Sequence, residues 1–266
     1  MTIITTLYRL KQHLGVDSAT DDARLLSALE SATAHIQRVT QRYFTPHMKS
    51  INHDVDFAQE LLLNDDLLEL TSLTNGDGTN IDLADVIVIP DSHQPASLLI
   101  LTEGVFTWET SALNAVTVSG VWGWHDNWSQ AWRDTGDTVQ DNPLSPNATT
   151  LTVTDANALD ALYQSPRFQV GQLLKIEDEY LRVLAITINE SADDTLTVQR
   201  GVNGTTATTH AQATSIYRYQ APADIESIAL RWATWLYKEP DARTISGTPS
   251  VLMRDLDRFR RFHVGA

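Results

Sequence analysis

The sequence contains no cysteine in 266 residues. Disulfides, thiolate chemistry and any Cys-ligated metal are therefore excluded. Long apolar runs are also missing, so no segment is expected to span a bilayer. The opening residues Met1–Leu14 lack a basic start followed by an apolar block, and do not read as a secretory signal. Cations are scarce: 19 Lys and Arg stand against 34 Asp and Glu along the whole chain, a formal net charge of −15. A protein that grips nucleic acid replaces counterions with clustered Lys and Arg. Tight DNA binding is thus not expected, whereas a surface past which DNA slides fits the balance.

The usual marks of catalysis are missing as well. The sequence has no Gly-rich phosphate loop, no Gly-x-Ser-x-Gly elbow and no His pair at zinc spacing. Carboxylates are so plentiful that any nominated acid–base pair would be arbitrary. Asn75-Gly-Asp-Gly-Thr79 and Asp193-Asp194 read as turns, because the ligand spacing of a calcium loop is missing. The residues nominate no catalytic group, no cofactor and no metal site.

What is present is a long amphipathic segment, Thr20–Phe44. Leu25, Leu29, Ala32, Ile36, Val39 and Tyr43 recur at spacings of four and three, which aligns them in one stripe of a helix over 20–44. Thr20 suits the N-cap, Asp21 and Asp22 the first turn, and Pro46 the stop. A short helix precedes it, with Thr5 or Thr6 as cap, Leu7, Leu10 and Leu14 as apolar edge and Gly15 as terminator. A third helix spans 222–238, with Pro222 at its start. Its polar stripe is narrow, and Ile228, Trp232 and Trp235 belong to an apolar surface wider than one core contact uses. These three residues are candidates for a subunit interface. After the flexible-looking Thr244–Ser250, the tail carries Leu252, Leu256, Phe259 and Phe262 on one side of a short helix. Arg254, Arg258, Arg260 and Arg261 lie among them, a pattern suited to docking on a partner.

Residues 50–124 read as short antiparallel strands: 51–57, 61–63, 67–73, 86–89, 98–101 and 116–121, with a turn at Asn75–Gly78. Gly120 and Gly123 suit a bulge or a close backbone approach. Trp122, Trp124, Trp128 and Trp132 offer two readings, a small aromatic core or a sugar-stacking platform. Arg133–Asn147 looks like a linker. A second β pattern follows over 149–219, the size of a small barrel or sandwich. The expected fold is α+β: a helical parent domain (1–146 plus 220–266) with an antiparallel β section, and an inserted small β barrel or sandwich (147–219).

The order of these pieces carries a resemblance. Leu14-Gly-Val-Asp17, Asp21–Phe44, Leu67–Gly78, Val118–Trp124 and Ala223–Trp232 together resemble the head–tail connector, or adaptor, proteins of tailed bacteriophages. The stretches Val170–Val183 and Leu196–Thr205 with His210 look like a β module of phage structural proteins. The resemblance implies a structural virion protein with no enzymatic activity and no cofactor. It implies a homo-oligomeric ring, twelve-fold, below the portal at the virion neck. That ring would be assembled in the host cytoplasm, away from any membrane. It would bind the portal and a downstream neck or tail-terminator protein, and duplex DNA would pass through its channel without tight binding. The tail residues Arg254, Leu256, Arg258, Phe259, Arg260, Arg261 and Phe262 are then candidates for portal docking. Acidic stretches around Asp54–Glu69 and Asp134–Asp141 are candidates for the channel wall. The alternative function is a carbohydrate-binding or host-recognition module built on the tryptophans.

Overall fold

A computed structural model describes residues 2–90, 94–238 and 250–261. The chain forms two compact units. Unit one comprises residues 1–41 and 130–260; unit two comprises residues 42–129 and 261–266. These limits run along a different line from an insertion at 147–219. The fold is α+β, with four helices among the described residues and two antiparallel sheets.

In unit one, α1 spans Leu7–Leu14. The Thr6 hydroxyl accepts the Arg9 N–H at its start, and Gly15 turns left-handed (φ 68°) at its end. This is the capping that the sequence suggests. The long helix α2 spans Asp22–Thr40 and is shorter at both ends than expected. Thr20 does not cap it, because its hydroxyl is bonded to Ser18 (2.8 Å). At the other end Gln41 is left-handed (φ 57°), and this residue, five before Pro46, stops the helix. Val39 and exposed Tyr43 thus drop out of the buried stripe, which consists of Leu25, Leu29, Ala32 and Ile36. Helix α3 covers Ala223–Lys238 and α4 covers Ser250–Asp257. Ile225, Ile228, Ala229 and Trp232 of α3 are buried, as are Leu252 and Leu256 of α4.

Unit one also holds a six-stranded sheet. Numbering the strands of the whole chain in order, these are β7 (Trp132–Thr138), β8 (Thr150–Val153), β9 (Leu173–Ile176), β10 (Glu179–Thr187), β11 (Asp194–Gln199) and β12 (Ser215–Tyr219). Their order is β7-β12-β9-β10-β11-β8. No pairing of β7 with β8 closes a barrel among the described residues; just past β7, the Gln140 N–H reaches Thr152 O (3.0 Å). The segment read as a linker contains strand β7. Its buried positions are Thr135 and Asp137 rather than apolar residues. The Thr135 hydroxyl donates to Ile216 O (2.7 Å), and Asp137 pairs with Arg167 (2.7 Å). With polar side chains facing in, the strand leaves no hydrophobic alternation to read. Leu151, Phe168, Leu174, Leu181, Val183 and Leu196 are in the sheet's core.

The helices and this sheet are joined by direct bonds. The Leu7 N–H donates to Val170 O (3.2 Å), the Thr6 hydroxyl to Gln169 Oε1 (2.5 Å), and Arg182 pairs with Glu30 (3.1 Å). Gly171, at φ 89°, lies where a Cβ would come within 2.4 Å of Ile3 Cδ1.

Unit two is a second sheet: β1 (His47–His53), β2 (Glu60–Thr74), β3 (Asn80–Ile81), β4 (Val86–Ile89), β5 (Ala96–Leu101) and β6 (Val116–Trp122). The order is β1-β6-β2-β5-β4, with β3 on β2. The two leucine segments read separately from sequence form one long strand, β2, whose pairing shifts register between Leu62 and Leu67. Gly120 permits this strand to approach β6: a Cβ there would stand 2.1 Å from Glu69 O. Leu61, Leu67, Leu73, Leu99, Val118 and Trp122 make the core.

Candidate functional site

The apolar surface of α3 is narrower than its sequence suggests. Trp232 is 1% exposed and stacks on His35, with ring centroids 4.2 Å apart. Ile228 is buried too. Both residues belong to the protomer's own core, because α2 and α4 pack beside α3. Trp235 meets Trp232 edge-on at 6.3 Å and stays partly exposed, as does Leu236. Of the three interface candidates, only Trp235 therefore presents surface to solvent.

The tail candidates divide in the same way. Leu256 and Phe259 are buried. Arg258 pairs with Asp224 (2.9 Å), Arg260 with Asp257 (3.1 Å) and Arg261 with Asp65 (3.0 Å). Arg254 is exposed. Phe262 lies outside the described residues, as does most of Thr244–Ser250. The apolar side of the described tail is thus already covered within the protomer.

The four clustered tryptophans do not form a flat exposed platform. Trp122 is buried and its indole N–H donates to Lys49 O (3.0 Å). Trp124 packs edge-on against Phe44 (5.7 Å), and Trp132 lies against Tyr180 (5.1 Å) and Tyr219 (5.4 Å). The exposed tryptophan is Trp108, which the sequence reading did not single out.

Several buried charges escaped sequence reading. Asp160 is enclosed between Arg133 (3.2 Å) and Arg218, and accepts the Leu162 and Gln164 N–H groups (2.9 and 2.8 Å). Burial alone would raise its pKa, but the Gln164 N–H and Arg218 outweigh that and hold it below the ordinary carboxylate value. Glu179 receives both arms of Arg200, the Thr208 N–H (3.0 Å) and His210 Nε2 (2.8 Å), while His210 Nδ1 faces Glu177 (2.7 Å). The Asp160 and Glu179 carboxylates are each surrounded by donors. This is the chemistry of a scaffold, in which charges fix loops to strands. Nearby, a cleft of about 550 Å³ in unit one is lined by Thr5, Arg9, Gln169, Arg218, Tyr219 and Glu226. Within it the Thr5 hydroxyl donates to Glu226 Oε1 (2.8 Å), a bond that ties the start of the chain to α3. No group of three His, Cys, Asp or Glu suited to a metal occurs among the described residues.

In unit two, Arg42 pairs with Asp66 (2.7 Å). Burial dominates both partners: it raises Asp66 against the pull of Arg42, and lowers Arg42 against the pull of Asp66. The distribution of charge here corrects the impression of an even spread. Between Arg42 and Ser129 stand thirteen Asp and Glu against two Lys and Arg, a balance of −11 out of the chain's −15. No Lys or Arg occurs anywhere in residues 50–132. Of the acidic stretches named for a channel wall, Asp54, Asp56, Glu60 and Glu69 are exposed. In the other stretch, Asp137 is buried in its ion pair and Asp141 accepts the Thr152 N–H (2.8 Å) and hydroxyl (2.9 Å).

Comparison with curated proteins and with solved structures gave no match. Comparison with family models gave one over residues 4–66, which take in α1, α2, β1 and the first half of β2. That model is described as phage gp6-like head-tail connector protein, and the match supports the connector family that the order of sequence elements suggests.

Proposed function

We propose that this chain is a structural virion protein that joins a phage head to its tail. It assembles as a homo-oligomeric ring, expected to be twelve-fold, below the portal, and extends the DNA channel toward a downstream neck protein. The family match over residues 4–66 carries this reading. The buried charges agree with it, since Asp160 and Glu179 are taken up by donors that fix loops to strands. So does unit two, whose exposed Asp and Glu suit a wall that repels phosphate. Of the interface candidates on α3, Trp235 remains for contact between subunits, with partly exposed Leu236 beside it. Among the described residues, no helix is long and apolar enough to cross a membrane.

Light scattering on the purified protein, alone and mixed with its portal protein, tests the proposal. A ring, formed alone or on the portal, is expected. A monomer that ignores the portal would overturn it.

A further inference from the structure

One end of unit two is closed by three loops, residues 54–59, 103–108 and 111–114. They are stitched together: Val55 N–H donates to Ala112 O (2.9 Å), Phe106 N–H to Ala58 O (2.8 Å) and Asn114 N–H to Asp54 Oδ1 (2.6 Å). The Gln59 side-chain amide adds a bond to Gly104 O (3.0 Å). Val55 and Phe106 point into the core of the unit. Their near neighbours do the opposite. Phe57 is 53% exposed, Val105 49% and Leu113 69%.

With Trp108 on the same loops, 44% exposed, four large apolar side chains crowd one bonded cap, which is not the scattered exposure of an ordinary surface. Because the loops are tied, little further ordering is needed when a partner covers them. The surroundings narrow the choice of partner. Asp56, Glu60 and Glu103 stand exposed on the same loops and the adjoining strand end. The run without Lys or Arg, residues 50–132, contains the whole cap. Such a rim repels nucleic acid, anionic lipid and a second copy of itself, and attracts a basic protein surface.

We propose that this cap is a docking surface for a protein partner whose apolar pocket is ringed by Lys and Arg. The proposal rests on the connector reading, which supplies two neighbours as probes, the portal and the downstream neck protein. Purified wild-type chain is expected to bind one of them in surface plasmon resonance, with affinity that falls as salt rises. The pair Phe57→Ser and Leu113→Ser should weaken that binding at least tenfold. The pair Asp56→Lys and Glu103→Lys should weaken it comparably, chiefly by slowing association. Circular dichroism and light scattering accompany each variant, so that a folding failure in one pair leaves the other to decide. Wild-type affinity in both folded variants would overturn the cap and leave the connector reading standing. A variant that binds its neighbour normally but no longer self-assembles would assign the cap to a second copy, and would also overturn the proposal. If wild-type chain binds neither neighbour, both readings fall.

Discussion

Arg200 grips Glu179 with two parallel bonds, Nε to Oε1 at 2.6 Å and Nη2 to Oε2 at 2.7 Å. Both side chains are almost wholly buried. The same arginine donates to Ser145 O and Thr208 O (2.7 Å each), so one ion pair ties the end of β11 to two loops.

Glu179→Gln should therefore be severe, because it leaves Arg200 buried without its counter-charge. Breaking a buried pair in this way costs about 3–5 kcal/mol. The pH dependence has a definite sign. Burial pushes the Glu179 carboxyl up, but Arg200, the Thr208 N–H and His210 outweigh it and hold it below the ordinary 4.5. With the folded value below the unfolded one, its contribution is complete above about pH 4.5 and fades as pH falls toward the folded value. Urea midpoints at neutral pH and in that acid window should fall more steeply with acid for the wild type than for the variant.

The tryptophans of α3 should separate fold from assembly. Trp232→Ala removes a buried ring stacked on His35 and should destabilise the protomer by about 3–5 kcal/mol. Trp235→Ala removes a partly exposed ring and should change the protomer's melting far less while weakening self-association. Equal losses of melting temperature in both variants would remove Trp235 from the interface.

Excising residues 147–219 is expected to melt the helices as well as the sheet. The excision takes away Gln169, Val170 and Arg182, the partners of Thr6, Leu7 and Glu30. A milder probe of the same junction is Gly171→Ala, which combines a left-handed backbone with a clash against Ile3. A loss of about 1–3 kcal/mol is expected. Helical circular dichroism that survives the excision would show that the helices fold without the sheet.

Unit two should leave DNA alone. Its carboxylates repel a duplex over roughly 8–10 Å at physiological salt. No retention is expected in a filter assay under those conditions. Tight binding, or a ring whose inner surface is dominated by Lys and Arg, would contradict the proposed channel wall.

How much of this was legible in the sequence depends on which side chains face inward. Helix α1, with Thr6 and Gly15 at its ends, could be read directly, as could the apolar strands β4 and β6. The start and stop of α2 could not. Thr20 is engaged by Ser18, and Gln41 takes up a left-handed turn that its chemistry does not advertise. Strand β7 was hidden because Thr135 and Asp137 fill its inner positions. The Asp160 and Glu179 networks join residues far apart in the chain, and no local pattern marks them. The unit-two charge imbalance was visible all along, in a run of residues without a single cation, but whole-chain totals conceal it.

That same run has a practical consequence. Trypsin cuts after Lys and Arg, and between Lys49 and Arg133 it has nothing to cut. Even a fully denatured chain must release Ser50–Arg133 as one unbroken peptide, nearly the whole of unit two. Resistance of that fragment to trypsin therefore says nothing about folding. A protease that cleaves beside Asp and Glu, by contrast, would find targets throughout it.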